Sequence, residues 1–239
     1  MSTVTVIGAG LTGATAARVL ADAGIRVEVW EKKSHIGGAA YDWRDDDGTL
    51  IQQYGPPIFH TNSDSVTAFL GRFTEWIPYR HKVMAAICGK LTPLPFNFSS
   101  IDMHFRAASA EELKCALRKA AKAESQLPLT ALLHSADDTL RRLGVFVKDA
   151  VFTGYTRKQW GVSVEELDDA VLNRVPVCAS YDSGYFSDRH QYMPSMGYTD
   201  LIQRMLRHEL ITVTLDADAN GRLWMRAGAR PGAGPWPSL

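Results

Sequence analysis

The chain has 239 residues, of which 46% are hydrophobic and 22% charged, so it is long enough to bury a sizeable core and too apolar for a disordered chain. Its 26 basic residues balance 26 acidic ones, which excludes a strong overall field for binding nucleic acid or an anionic membrane. The three cysteines form no CxxC pair, and no apolar run approaches about 18 residues, so we expect no metal site, no disulfide framework, no membrane span and a cytoplasmic location.

The first 30 residues have the pattern of a strand, a helix and a second strand. Residues 3–7 are a β-branched run, and residues 25–29 alternate apolar and charged side chains, so both segments are predicted strands. A helix is expected to begin within the stretch GAGLTG and to end at Gly24, which suits a left-handed C-cap. Together these elements predict a βαβ unit.

The rest of the chain predicts further helices and a small antiparallel sheet. Ser109 and Glu112 have the spacing of a capping box, which predicts a helix that begins there and ends before Pro128. The other predicted elements are a helix over 64–73, a hairpin with arms 80–88 and 91–96, a helix over 137–155, an extended segment over 171–179, a helix over 200–208 and a strand over 211–215.

The glycines of GAGLTG have the context of a dinucleotide-binding fingerprint, because they follow a strand and open a helix. Gly8 would permit the tight turn, Gly10 would let the backbone approach a pyrophosphate, and Gly13 would allow close packing of helix on strand. Glu31, at the end of the second strand, is expected to accept hydrogen bonds from a ribose hydroxyl and to disfavour a 2′-phosphate. A glycine turn that merely connects strand to helix is the alternative.

NAD and FAD sites share this fingerprint, and the run EKKSHIGGAAY favours FAD, because it resembles the E-x(5)-GG pattern of flavin oxidases and their relatives. The predicted cofactor-binding residues are Gly8, Gly10, Leu11, Thr12, Gly13, Glu31, Lys32, Gly38, Ala39 and His60.

Four stretches resemble the UDP-galactopyranose mutase family: SHIGGAAYD, YGPPIFHTN, GYTRKQWG and SGYFSDRHQYMPSMGYTDLI. They occur in the family's order and at similar spacing from about residue 3 to residue 216. The resemblance implies an isomerase of cell-wall precursor synthesis that interconverts UDP-galactopyranose and UDP-galactofuranose. Reduced FAD would use its N5 atom as the nucleophile, UDP-galactose would be the small-molecule partner, and a homodimer is compatible with the sequence.

The resemblance also assigns roles to individual residues. His60, Trp160 and Arg174 are the implied catalytic residues; His60 lies near the flavin ring, and Arg174 grips the diphosphate. The implied substrate-binding residues are Phe152, Tyr155, Thr156, Trp160, Arg174 and Tyr185, with Tyr155 stacked on the uracil ring.

Two positions depart from the family pattern. Pro57 stands where the family has the first of two histidines in YGPHIFHT, which removes a polar ring near the flavin and restricts the loop. Ala39 stands where the family has asparagine, so one amide on the cofactor side is lost. These departures put the response of the loop to flavin reduction in doubt.

The expected fold is α/β: a Rossmann-like FAD-binding domain with an inserted helical domain and a small antiparallel sheet, incomplete at the C-terminus. The family's chains continue considerably further. Residues 219–239 are rich in Ala, Gly, Arg and Pro without a structural period, which suggests out-of-frame translation. The expected segments are 1–78 for the FAD-binding part, 79–100 for the sheet, 101–162 for the helical domain, 163–196 for a sheet and mobile loop, 197–218 for the return to the FAD-binding domain, and 219–239 for the atypical tail.

Three functions are consistent with these observations. The resemblance favours a mutase, whereas Pro57, Ala39 and the tail leave open an inactive fragment that binds flavin or nucleotide. An FAD-dependent oxidoreductase of the amine-oxidase type would share the N-terminal fingerprint but has no reason to carry GYTRKQWG.

Overall fold

The computed structural model describes residues 3–154, 158 and 161–219. The chain divides into two compact units. The first consists of residues 1–79 and 188–239, and the second consists of residues 80–187. Among the described residues, no helix has the length and apolar character needed to cross a membrane.

The first unit is built on a three-stranded parallel sheet with strand order β1-β2-β12. Its elements are β1 (Thr3–Ile7), α1 (Leu11–Asp22), β2 (Arg26–Trp30), α8 (Tyr198–Leu206) and β12 (Ile211–Thr214). In the register, Val27 lies between Val4 and Ile211, and its side chain is fully buried because α1 and α8 pack against the sheet. The predicted βαβ unit is confirmed, and Gly24 has the expected positive φ of 81°.

A second sheet of the same unit is antiparallel, with order β5-β11-β6, where β5 is Phe59–Thr61, β11 is His190–Pro194 and β6 is Trp76–Pro78. Phe59 and Trp76 stack with ring centroids 4.7 Å apart, and Tyr192 lies 5.7 Å from Trp76. Alternate residues of a strand point to opposite faces, so His60 lies on the face opposite this aromatic cluster. The unit also contains the hairpin of β3 (Asp42–Arg44) and β4 (Leu50–Gln52), and α2 (Asp64–Gly71), which is capped by the side chain of Ser63.

The second unit combines helices with two short antiparallel pairs. The predicted hairpin is confirmed as β7 (Val83–Ile87) and β8 (Lys90–Leu94), and its turn residues Cys88 and Gly89 both have positive φ. The core is formed mainly by leucines and phenylalanines of the helices. The remaining elements are α3 (Phe98–His104), α4 (Ala107–Ala121), β9 (Gln126–Leu127), α5 (Leu129–Leu133), α6 (Asp138–Val147), which continues as a π-helix over Lys148–Phe152, α7 (Asp169–Leu172) and β10 (Val177–Cys178).

Two local predictions in this unit are wrong. α4 begins at Ala107 with Arg106 as N-cap, so Ser109 lies inside the first turn and does not cap the helix. The helix starts before Ser109 because the two preceding residues are alanines, which favour the helical conformation. The segment over 171–179 is not extended throughout, because the Asp168 side chain accepts a hydrogen bond from the Ala170 amide and starts a short helix.

Candidate functional site

The glycine turn after β1 has the geometry that the fingerprint predicts. Gly8 has φ of 93°, a value that side chains disfavour, and its amide donates to the Trp30 carbonyl at 2.7 Å. A Cβ added at Gly13 would lie 1.9 Å from the Gly8 carbonyl oxygen, so only glycine allows this approach of α1 to the turn. Gly10 is the N-cap of α1 and provides no capping side chain. The first amides of α1 are therefore left to a ligand or to water.

A second glycine segment lies against the first. The Gly37 amide donates to the Ala9 carbonyl at 2.9 Å, and Gly10 and Gly37 form an isolated parallel bridge. A Cβ at Gly38 would lie 3.0 Å from the Gly10 Cα, so the close approach of the two backbones leaves no space for a side chain at Gly38. Sequence reasoning used Gly37 and Gly38 only as a cofactor signature, whereas in the structure Gly37 lines the site and Gly38 packs against Gly10 without lining it.

These two segments enclose a cavity of about 370 Å³. Six of the predicted cofactor-binding residues line it: Gly8, Gly10, Leu11, Thr12, Gly13 and Ala39. Ile7, Gly37 and Ala40 line it as well, and Ala39 is exposed to solvent. The arrangement places the uncapped N-terminus of a 12-residue helix at a cavity lined mainly by glycines and alanines, which suits an anionic group such as a diphosphate.

Glu31 is buried, with 6% of its surface exposed, and its carboxylate holds two backbone amides. Oε2 accepts from the Ala9 amide at 2.7 Å, and Oε1 accepts from the Lys33 amide at 2.9 Å. The side chain therefore ties the glycine turn to the end of β2. Each oxygen keeps further acceptor capacity, so the expected ribose contact stays a prediction. The neighbouring Lys32 is exposed.

Asp42 anchors the segment that follows the second glycine segment, Gly37 and Gly38. Its two carboxylate oxygens accept from the Tyr198 and Thr199 amides at 2.7 and 2.8 Å, which caps the N-terminus of α8. A Cβ at Gly197 would lie 2.7 Å from the Asp42 Oδ2 atom, so this approach requires glycine. Sequence reasoning missed the contact, because the partners are 156 residues apart and α8 carries no capping residue of its own.

His60 is exposed on β5 and pairs with an acidic side chain from the segment before β11. Its Nδ1 atom lies 2.8 Å from Asp188 Oδ2. The other oxygen of Asp188 accepts from Asn62 Nδ2 at 3.0 Å. Pro57, the departure from the family pattern, lies partly buried three residues before His60. His60 does not line the glycine cavity, so its predicted place beside a flavin ring stays a prediction.

The predicted substrate residues of the second unit have different surroundings. Phe152 belongs to the hydrophobic core, with 8% of its surface exposed. Tyr185 packs edge-on against His81 and Phe186, with ring centroids 5.5 and 5.0 Å away. Arg174 is exposed between α7 and β10, and no ion pair holds its side chain among the described residues. Tyr155, Thr156 and Trp160 lie outside the described residues.

Lys114 fixes the start of the segment that carries Tyr185. Only 5% of its side chain is exposed, and its Nζ donates to Asp102 Oδ1 at 2.7 Å and to the Tyr181 hydroxyl at 3.1 Å. These hydrogen bonds, first of all the one to Asp102, hold the pKa of Lys114 well above its usual range. The ammonium group therefore joins α3 and α4 to residue 181, four positions before Tyr185.

Two family models match the chain. The UDP-galactopyranose mutase model matches residues 150–225, and a model of an NAD(P)-binding Rossmann-like domain matches residues 6–73.

The chain is also similar to curated proteins. A probable UDP-galactopyranose mutase of Klebsiella pneumoniae is 34% identical over 217 residues, which cover 90% of this chain and 56% of the relative. The dTDP-fucopyranose mutase of Escherichia coli is 34% identical over 221 residues, which cover 92% and 58%. A UDP-galactopyranose mutase of Mycoplasma pneumoniae is 35% identical over 218 residues, which cover 90% and 55%. The chain thus spans about half the length of the curated relatives it matches.

Solved structures share the fold. A crystal structure of reduced UDP-galactopyranose mutase matches with a TM-score of 0.59 over 90% of this chain and 49% of that chain, at 17% identity. A putative protoporphyrinogen oxidase from Exiguobacterium sp. 255-15 matches with a TM-score of 0.52 over 90% and 52%, at 16% identity. Together with the parallel sheet, these matches confirm the predicted α/β, Rossmann-like fold class.

Proposed function

Because the chain belongs to the UDP-galactopyranose mutase family, we propose that it binds FAD and interconverts UDP-galactopyranose and UDP-galactofuranose. The observation that carries the proposal is the cavity of about 370 Å³ between the two glycine segments, at the uncapped start of α1. A glycine-rich cavity at a helix N-terminus suits the diphosphate of a dinucleotide, because backbone amides can approach the phosphates there.

The residues present fit such a cofactor. Gly8, Gly10, Gly13 and Gly37 line the cavity without side chains, and the first turn of α1 carries no acidic residue that would repel a phosphate. Glu31 is placed at the end of β2, where a ribose hydroxyl is expected, and Lys32 beside it is exposed. These residues would hold the adenosine diphosphate half of FAD.

The flavin, when bound and reduced, supplies a nucleophilic nitrogen, N5, for attack on the anomeric carbon of the sugar. The chain's own residues bind and orient the nucleotide sugar. Arg174 is suited to the diphosphate, because it is exposed and no described residue neutralises its guanidinium group. The proposed remaining substrate contacts are Phe152, Tyr155, Thr156, Trp160 and Tyr185.

Burial of Phe152 supports an indirect role for it. A side chain with 8% exposure in the core of the second unit has little surface for direct contact with a substrate. Tyr185, by contrast, is partly exposed, and its main chain is fixed by donation from its amide to the His81 carbonyl at 2.8 Å. Of Phe152 and Tyr185, Tyr185 is therefore the residue whose side chain can contact a phosphate, through its hydroxyl.

The nucleotide is the least determined part of the substrate. The curated dTDP-fucopyranose mutase is as similar to the chain as the UDP-galactopyranose mutase of Klebsiella pneumoniae, at 34% identity each. Uracil and thymine differ by a methyl group on a ring that would stack on an aromatic side chain. Both nucleotides therefore belong in the test.

Turnover by the purified chain tests the proposal. The chain, saturated with FAD and reduced with dithionite, is incubated with UDP-galactofuranose, and the products are separated by chromatography. We expect UDP-galactopyranose to form, to form faster than the corresponding product from dTDP-fucofuranose, and to be lost in an Arg174→Ala variant. No conversion of either nucleotide sugar by flavin-loaded chain would refute the activity, and faster conversion of the dTDP sugar would reassign the substrate.

A further inference from the structure

We infer that Asp188 is a positioning residue for His60: its carboxylate, which is held by Asn62 and through Asn62 by a backbone amide, fixes which nitrogen of the His60 ring carries the proton. The contacts link residues that are up to 128 positions apart in the sequence. All of them lie in the first unit.

The backbone amide of Arg189 sets the direction of the hydrogen bonds. It donates to Asn62 Oδ1 at 2.9 Å. A backbone N–H can only donate, so the oxygen of the Asn62 amide group must face it and the NH2 group must face the other way. That NH2 group lies 3.0 Å from Asp188 Oδ1, and it donates there.

The second oxygen of Asp188 then determines the tautomer of His60. Asp188 Oδ2 lies 2.8 Å from Nδ1 of the ring. A carboxylate only accepts, so Nδ1 must carry the hydrogen, and Nε2 of the neutral ring is left with its lone pair. The Asp188 side chain is 23% exposed and that of His60 39%, so the pair is partly shielded from water.

Strand pairing and further hydrogen bonds hold the residues around the pair. His60 and Gln191 are opposite each other in the pairing of β5 with β11, and the Gln191 side chain donates to the Asp188 carbonyl at 2.8 Å. Asp64, the other carboxylate nearby, is engaged by His190 at 2.7 Å and by Arg189. Asp188 therefore pairs with His60, whereas Asp64 pairs with His190 and Arg189.

The consequence for catalysis rests on the proposed function. If a flavin lies beside the face of the β5-β11-β6 sheet that carries His60, it meets an imidazole whose orientation and tautomer are fixed. A ring free to change its tautomer would instead offer a donor or an acceptor there. The tautomer itself does not depend on any cofactor.

Nitrogen-15 NMR of the chain without cofactor tests the inference. Long-range ¹H–¹⁵N correlation spectra, recorded at about pH 9 where imidazole rings are ordinarily neutral, distinguish the two tautomers, and a His60→Gln variant assigns the signals. We expect the Nδ1–H form in the wild type. In Asp188→Asn, Asn62 keeps the new amide oxygen on its own NH2 group, so the new NH2 group faces Nδ1. We therefore expect a change from mainly Nδ1–H to mainly Nε2–H.

Two further variants separate the directional effect from loss of structure. Removing the anchor in Asp188→Asn/Asn62→Ala lets the new amide turn its oxygen towards His60, so the Nδ1–H form should return in part. Asp64→Asn, the matched control, should leave the His60 signals unchanged. If Asp188→Asn does not fold, Asn62→Ala alone decides, because it retains the carboxylate and should keep Nδ1–H. An Nε2–H ring in the wild type or in Asn62→Ala, or an unchanged tautomer in folded Asp188→Asn, would overturn the inference.

Discussion

Replacing Glu31 with glutamine preserves the shape of the side chain but gives it one acceptor oxygen and one NH2 group. In the native chain both carboxylate oxygens accept from backbone amides, Ala9 at 2.7 Å and Lys33 at 2.9 Å, at a site with 6% exposure. In Glu31→Gln one of these amides faces an NH2 group and loses its acceptor. An unsatisfied buried donor costs about 1–3 kcal/mol, so we expect the free energy of unfolding to fall by about that amount.

Urea unfolding followed by tryptophan fluorescence measures the effect, because Trp30 precedes Glu31 and is itself buried. Glu209→Gln, which changes an exposed glutamate, is the matched control and should leave the midpoint unchanged. If Glu31→Gln unfolds at the wild-type urea concentration, the carboxylate does not hold the glycine turn. Its burial would then need another explanation.

Three further results are expected. Gly13→Ala should unfold the glycine turn and lower the melting temperature strongly, because its Cβ would lie 1.9 Å from a backbone oxygen; a wild-type melting curve would contradict the packing of α1 on β1. Lys114→Met should lower the melting temperature at neutral pH. Since the pKa of Lys114 is raised in the folded chain, the difference in melting temperature between wild type and variant should persist below the usual lysine pKa and fade as the pH rises through the folded pKa. A difference that grows with pH would contradict the hydrogen bonds assigned to the ammonium group. Burial raises the pKa of Cys178 to about 11, so at about pH 8.5 it should react with iodoacetamide more slowly than the two exposed cysteines, and equal labelling by mass spectrometry would refute its burial.

The sequence predicted the parts of the fold that depend on neighbouring residues. Gly8 and Gly13 could be assigned from their spacing, because a turn that opens a helix against a strand requires glycine at those positions. The cap of α2 could be narrowed to Asn62, Ser63 or Asp64, because a side chain that accepts from its own helix needs no distant partner, and the structure shows that it is Ser63. The hairpin around Gly89 could also be predicted, because its turn depends only on neighbouring residues.

The parts that the sequence missed depend on partners distant in the chain. Asp42 caps a helix that begins 156 residues later, and Asp188 pairs with a histidine 128 residues earlier. An aspartate in a short strand or loop carries no local sign of such a contact. Ser109 shows the opposite error, because a valid local motif was overridden when the N-cap of α4 fell three residues earlier, at Arg106.

The binding of FAD at the glycine cavity is the central claim, and calorimetric titration of FAD into wild-type chain, Gly10→Ala and Gly71→Ala tests it most directly. Neither variant requires a positive φ, and the nearest atoms to the added Cβ are 3.6 Å away at Gly10 and 3.4 Å away at Gly71, so both should fold. Only Gly10 lines the cavity. We predict that FAD binds the wild type and Gly71→Ala equally, and binds Gly10→Ala at least about tenfold more weakly, which corresponds to about 1.4 kcal/mol. Equal affinity of all three chains, or no binding to the wild type, would contradict the account.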